Sequence, residues 1–195
     1  DEVFEKHTTH FTVADSQGWW VACTATLNTA FGSKVMIPGT GVMLNNQMDD
    51  FSIQPGVPNA FGLIGAEANA IEPGKRPLSS MSPTIVLKDG KPVLTVGASG
   101  GPTIITQVVQ AIHRFVDLGL PLEQCLGQPR VHHQWSPQEV RIEAGYGADV
   151  MEALRERGHQ LKASGTGTSQ AILLNDDGTF EAIADPRREG RADAR

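Results

Sequence analysis

Val93-Leu94-Thr95-Val96 is followed by Gly97-Ala98-Ser99-Gly100-Gly101-Pro102, and then by Ile104, Ile105, Val108, Val109, Ile112, Phe115 and Val116 at spacings of three and four. The first four residues read as a strand and the last set as the apolar face of a helix. Pro102 suits a first helical turn, where its missing N–H would have had no partner, and Gly119 suits the stop. The glycines between them fall at the helix N-terminus, where unpaired amides and the helix dipole favour negative charge. The plain reading is a connecting turn; the sharper one is an oxyanion hole or anion cradle. The lysine of a phosphate-binding loop and the spacing of a dinucleotide fingerprint are both missing, which argues against nucleotides.

Strands lie on either side of this stretch. Thr84 to Leu87, a Lys88-Asp89-Gly90 turn and Val93 to Val96 make one expected hairpin. His10 to Asp15, a Ser16-Gln17-Gly18 turn and Trp19 to Thr24 make another, and Trp19-Trp20 is expected to pack. Downstream, the pattern gives a short helix over Leu122 to Leu126, ended by Gly127 and Pro129. A strand over Val140 to Glu143 and a helix over Ala148 to Arg157, with Gly158 after it, come next. The last hairpin is Ser169 to Leu174, an Asp176-Asp177-Gly178 turn and Thr179 to Ala184. Two blocks of strands separated by helices imply an α+β layered fold rather than alternating βαβ units. Between Asn28 and Met81 the periodicity fades, as expected of a functional segment or the edge of a cleft. The charged Arg187-Arg188-Glu189-Gly190-Arg191 stretch reads as a frayed tail.

Composition narrows the function. The chain has 195 residues, 39% hydrophobic, and a formal net charge of −6, enough for a core and unfavourable for nucleic acid or an anionic membrane. No apolar run reaches membrane-spanning length, and Asp1 to His7 lack the apolar region of a signal peptide. Cys23 and Cys125 are too few for a disulfide scaffold. His132 and His133 are adjacent, so on a strand they face opposite ways, and neither a metal site nor a cofactor is expected. Ser79 or Ser80 with His132 lacks the Gly-x-Ser-x-Gly elbow of a serine hydrolase. The 21 glycines and 12 prolines imply loops of fixed shape, where sites tend to sit.

Several polar segments are dense. Thr8-Thr9-His10, Thr24-Ala25-Thr26-Leu27-Asn28, Leu44-Asn45-Asn46-Gln47-Met48-Asp49-Asp50-Phe51, Pro55-Gly56-Val57-Pro58-Asn59, Arg76-Pro77-Leu78-Ser79-Ser80-Met81-Ser82-Pro83-Thr84, Gly100-Gly101 and Pro129-Arg130 occur in that order. Taken singly they are β-rich or turn-forming stretches. Together, from Thr8 to about Arg187, they resemble the small subunit of γ-glutamyltranspeptidases (glutathione hydrolases), a family of N-terminal-nucleophile hydrolases.

The resemblance implies part of a four-layer αββα sandwich, completed by the large subunit of the same precursor. It implies a precursor cut between His7 and Thr8, dividing the chain into 1–7 before the cut, a catalytic domain over 8–187 and a tail over 188–195. A chain that keeps residues before Thr8 is expected to be inactive in turnover, because Thr8 then lacks a free amine. Thr8 would be the nucleophile and Thr26 its hydrogen-bonded helper, with Gly100 and Gly101 as the oxyanion hole. Asn28, Gln47 and Asp50 would hold the substrate α-amino group, and Ser79 and Ser80 its α-carboxylate. Pro55 to Gly65 would be a lid. Ala98-Ser99 departs from the Ser-Pro common before the paired glycines, and the carboxylate-gripping arginine belongs to the family's large subunit. The implied reaction passes the γ-glutamyl group of glutathione to water or to an amino-acid or dipeptide acceptor. By resemblance, a periplasmic or secreted location is expected, although this stretch of sequence does not itself give one. Rival expectations are a cephalosporin or glutaryl acylase and a processing-defective, non-catalytic homologue.

Overall fold

A computed structural model describes residues 8–194. The chain enters through β1 (Thr8–Ala14), paired antiparallel with β2 (Trp20–Thr26) so that Thr8 faces Thr26 and His10 faces Thr24. The Asp15 side chain accepts the amides of Gln17 and Trp19 and shapes the turn. Trp20 packs on Phe180 with ring centroids 5.8 Å apart, whereas Trp19 stays 73% exposed, so only one of the two tryptophans packs as expected.

The segment from Asn28 to Met81 carries only short 3-10 turns, at Gln47–Asp50 and Glu67–Asn69, and isolated bridges. Regular structure returns with β3 (Thr84–Lys88) and β4 (Lys91–Ser99), then α1 (Thr103–Val116) and α2 (Leu122–Gly127). A smaller sheet follows from β5 (Val131–His132), β6 (Val140–Ile142), α3 (Ala148–Glu156) and β7 (Leu161–Ala163). Finally β8 (Thr168–Leu174) and β9 (Phe180–Ala184) join the larger sheet, whose order is β3-β4-β8-β9 and whose pairs are all antiparallel.

The alternation of β4 builds the layers. Leu94, Val96 and Ala98 are buried with Ile104, Val108 and Ala111 of α1 and with Leu122 and Leu126 of α2. On the opposite face, Thr95 accepts a hydrogen bond from the Thr12 hydroxyl at 2.9 Å, and a Cβ on Gly97 would collide with the His10 ring. Helices therefore cover one face of the sheet and the β1–β2 hairpin covers the other, an α+β layered arrangement.

Four further expectations change. First, β4 continues through Gly97 to Ser99, because Ser99 still pairs with Thr168, so the turn begins only at Gly100. Second, α1 leaves Ile105, Val109 and Val116 exposed and buries Thr103, Gln107 and Arg114 instead. Third, β6 and β7 pair in parallel across α3, one crossover unit within a fold read as having none. Fourth, Arg187 is no frayed end. It donates to Glu143, to Asp185 and to the carbonyls of Leu126 and Gln128. Burial alone would raise the Glu143 pKa, but hydrogen bonds from Arg187 and Thr166 outweigh it and hold the carboxyl below its ordinary range.

Candidate active site

Thr8 opens β1, and the ladder register sets its hydroxyl opposite that of Thr26, at 2.9 Å. Thr26 Oγ1 also accepts the Asn28 amide at 2.9 Å. Since that acceptance uses one lone pair, the Thr26 hydroxyl proton remains available to Thr8. Asn28 sits in the left-handed region, φ 79°, which asparagine tolerates better than most residues. From there its side-chain amide donates to Asn46 O at 3.2 Å and its side chain hydrogen-bonds Asp50.

Asp50 ends the Gln47–Asp50 turn, its carbonyl fixed by Asn69 Nδ2 at 2.8 Å. Burial and the neighbouring Asp49 charge push its carboxyl up to about 6, against the Asn28 hydrogen bond, which lowers it. Leu78, just before the two serines, donates its amide to Asn69 Oδ1, and Ser79 Oγ accepts the Met81 amide, so this extended segment is held in place by side chains.

A narrow cleft of about 20 Å3, room for one water, is lined by Thr8, Thr26, Asn28, Asp50, Ser79, Ser80 and Gly101, with Phe61, Met81 and Ile104 as its apolar part. Asp50 is the single ionisable side chain among these described lining residues. A larger cavity of about 280 Å3 lies alongside, and Asp50 and Ser80 line both. Gly101, φ +60°, lies under the Phe61 ring, and Gly100, φ +133°, lies against Gly167 so closely that a Cβ there would meet backbone at 2.9 Å. Among the described residues, the N–H groups of Gly100 and Gly101 donate to no protein acceptor.

Seven of the nine expected catalytic and binding residues thus border one cleft. Gly100 stands behind Gly101 without lining it, and Gln47, half-buried, lies outside it. His7, the other side of the expected cut, and residues 1–7 as a whole fall outside the described residues. Motif reading missed Phe61 as a cleft residue. His10, part of the Thr8-Thr9-His10 motif but given no role there, is buried two positions after Thr8, with Nδ1 2.8 Å from Thr24 Oγ1 and burial pushing its pKa down to about 4. Pro55 to Gly65 folds back on itself through Gly56 N to Gly65 O and Asn59 N to Leu63 O, and Gln134 donates to Phe61 O at 3.2 Å. The described residues contain no group of three or more His, Cys, Asp or Glu side chains able to hold a metal ion, and no helix long and apolar enough to cross a membrane.

The gamma-glutamyltranspeptidase family model matches residues 2–194. The chain belongs to that family. It is 48% identical over 181 residues to the glutathione hydrolase proenzyme of Escherichia coli, covering 92% of this chain and 31% of the relative. It is 47% identical over 188 residues to that of Pseudomonas aeruginosa, covering 94% and 34%. The chain therefore spans about a third of the length of these curated relatives. Among solved structures, a mutant of Helicobacter pylori gamma-glutamyltranspeptidase matches with TM-score 0.88 and 48% identity, over 92% of this chain and 100% of that chain. A cephalosporin acylase from Bacillus halodurans matches with TM-score 0.81 and 28% identity, over 93% of this chain and 33% of that one. These neighbours agree with the α+β fold of N-terminal-nucleophile type.

Proposed function

We propose that residues 8–187 are the catalytic domain of the small subunit of a γ-glutamyltransferase and glutathione hydrolase, paired with the large subunit of its own precursor. The observation that carries the reading is one cleft with the Thr8–Thr26 hydroxyl pair and Gly101 on one side and Asp50, Ser79 and Ser80 on the other.

Scission of the bond before Thr8 frees an α-amine, whose ordinary pKa of about 7.7–8.0 suits a base working near neutrality. The amine takes the proton from Thr8 Oγ1 as that oxygen attacks the γ-carbonyl of the substrate amide. The oxyanion that forms faces the Gly100 and Gly101 amides, and losing one such donor typically costs about 2.7–4 kcal/mol of barrier. Collapse breaks the C–N bond, and the amine leaves with the proton the base had taken. This leaves a γ-glutamyl ester on Thr8, which water or an amino-acid or dipeptide acceptor opens by the reverse sequence. Asp50, ionised above about 6, pairs with the substrate ammonium, with Asn28 and Gln47 supporting that end, and the Ser79 and Ser80 hydroxyls donate to its α-carboxylate.

Intact-mass analysis of the expressed precursor, with turnover of γ-glutamyl-p-nitroanilide, tests this. The expected result is a small subunit that begins at Thr8, and a Thr8→Ala precursor that stays uncut and inactive. An uncut wild-type chain without turnover would instead mark a non-catalytic homologue. The likeness to a cephalosporin acylase supports a second reading, a glutaryl-type amidase. Comparing γ-glutamyl with glutaryl anilide separates the two, since Asp50 rewards only the substrate that carries an α-ammonium.

A further inference from the structure

Beneath the glycine turn runs a chain of buried polar groups that the reaction outlined above does not use. Ser99 O accepts from Gln107 Nε2 at 2.9 Å, and Gly100 O accepts from the Thr103 hydroxyl at 2.8 Å. Thr103 Oγ1 in turn accepts from Gln107 Nε2 at 3.0 Å. The other end of the Gln107 amide, Oε1, accepts from Arg130 Nη1 at 2.8 Å and from Ser169 Oγ at 3.2 Å. Arg130 is 1% exposed and paired with the fully buried Asp185 at 2.5 Å.

Every proton in this chain has one direction. A guanidinium only donates, so Gln107 must turn its oxygen to Arg130 and its NH2 to Ser99 and Thr103. Thr103, already accepting from Gln107, is left to donate to Gly100 O. Each carbonyl at the end of the chain belongs to the same planar peptide unit as one of the two unpaired amides. Ser99 C=O shares its plane with Gly100 N–H, and Gly100 C=O shares its plane with Gly101 N–H. Fixing the carbonyl fixes where the trans N–H points, and a donor on the carbonyl makes that N–H a stronger donor in turn.

We infer that Thr103 and Gln107 are positioning residues for the oxyanion hole, Thr103 aiming the Gly101 amide and Gln107 the Gly100 amide, with Arg130 holding Gln107 in the donating orientation. The inference rests on the reading of Gly100 and Gly101 as oxyanion donors. Gly167 completes the device, because a Cβ there would overlap Ser99 O.

The test compares Thr103→Val, which keeps shape and loses the hydroxyl donor while the longer 3.3 Å bond from the residue 103 amide to Gly100 O remains, with Thr103→Ser, which keeps the hydroxyl, and adds Gln107→Met. In processed enzyme, Thr103→Val and Gln107→Met should lower kcat by about ten- to a hundredfold, short of the full loss of an oxyanion donor, with KM within about threefold. Thr103→Ser should restore kcat to within about threefold of wild type. A second readout needs neither processing nor turnover: the amide signals of Gly100 and Gly101 in full precursor labelled with 15N-glycine. The Gly101 signal should move in Thr103→Val and the Gly100 signal in Gln107→Met, with neither moving in Thr103→Ser. Unchanged kcat in Thr103→Val, an equal loss in Thr103→Ser, or amide signals that stay put would each overturn the positioning roles. If wild type itself turns over no γ-glutamyl amide, the functional reading falls, and the amide signals alone decide the positioning roles.

Discussion

The two walls of the cleft are built in opposite ways. Thr8, Thr26, Gly101 and Ile104 stand on β1, β2 and the β4–α1 junction, held by backbone ladders and the buried Arg130–Asp185 network. Asp50, Phe61, Ser79 and Ser80 stand on a segment with no sheet of its own. There asparagine side chains replace the ladder: Asn46 Oδ1 accepts from the amide and hydroxyl of Thr29, Asn59 Oδ1 from the amides of Phe61 and Leu63, and Asn69 joins Asp50 O to the Leu78 amide. On the proposed reading, the bond-making atoms would sit on the laddered wall, where small displacements are costly, and the recognition groups on the wall held by side chains. The reach of each wall can be tested separately.

Striking the base of the laddered wall should have the largest effect. Asp185→Ala leaves the Arg130 charge buried without its partner and removes the acceptor of the Ser169 amide. Breaking such a pair costs about 3–5 kcal/mol, so denaturant unfolding should show a stability loss of that size, together with failed processing. A loss below about 1 kcal/mol would mean that the pair does not hold this wall.

On the wall held by side chains, Asp50→Asn should leave the fold intact and weaken substrate binding. Removing one charge-assisted bond is worth about 1.5–3 kcal/mol, so KM for a γ-glutamyl anilide should rise roughly ten- to a hundredfold while kcat changes little. A kcat loss as large as the KM change would place Asp50 among the groups that act on the reacting bond. A smaller effect is expected of Asn69→Ala, which frees both Asp50 O and the Leu78 amide near the surface. It should cost about 1 kcal/mol of stability and show in KM before kcat.

The walls also differ in how readily they could be read from the sequence. Hairpins and helices follow from periodicity, so β1, β2, β3, β8, β9 and the extent of α1 lie close to expectation. The buried side of α1 follows only in part: Ile104, Val108, Ile112 and Phe115 of the apolar pattern face the core, but Ile105, Val109 and Val116 do not, and Thr103, Gln107 and Arg114 are buried beside them. A buried polar residue leaves no trace in hydrophobic spacing; its partners, Arg130, Ser169 and Asp185, come from distant strands and loops. For the same reason the cleft residues could be grouped only through the family resemblance. Nothing local in Asn28, Asp50 or Ser80 says that they meet.

Acid should sharpen the contrast, because His10 belongs to one wall and Asp50 to the other, and their pKa values are pushed in opposite directions. His10, in the laddered wall, has its pKa pushed down from 6.5 to about 4 by burial. Asp50, in the wall held by side chains, has its pKa pushed up from 3.8 to about 6 by burial and Asp49. Between pH 6.5 and 4 the unfolded chain takes up a proton at position 10 that the fold refuses, so the His10 contribution to stability is lost as pH falls. Between pH 6 and 3.8 the fold holds a proton on Asp50 that the unfolded chain releases, so the Asp50 contribution grows as pH falls. The two oppose each other in wild type. Calorimetric melting across this range should therefore show His10→Gln losing less Tm on acidification than wild type, and Asp50→Asn losing more. Binding should follow the second group alone: affinity for L-glutamate as a competitive inhibitor should weaken as Asp50 takes its proton below about 6, and that limb should vanish in Asp50→Asn. Parallel Tm profiles in the two variants would mean that neither wall is dry enough to hold its group neutral.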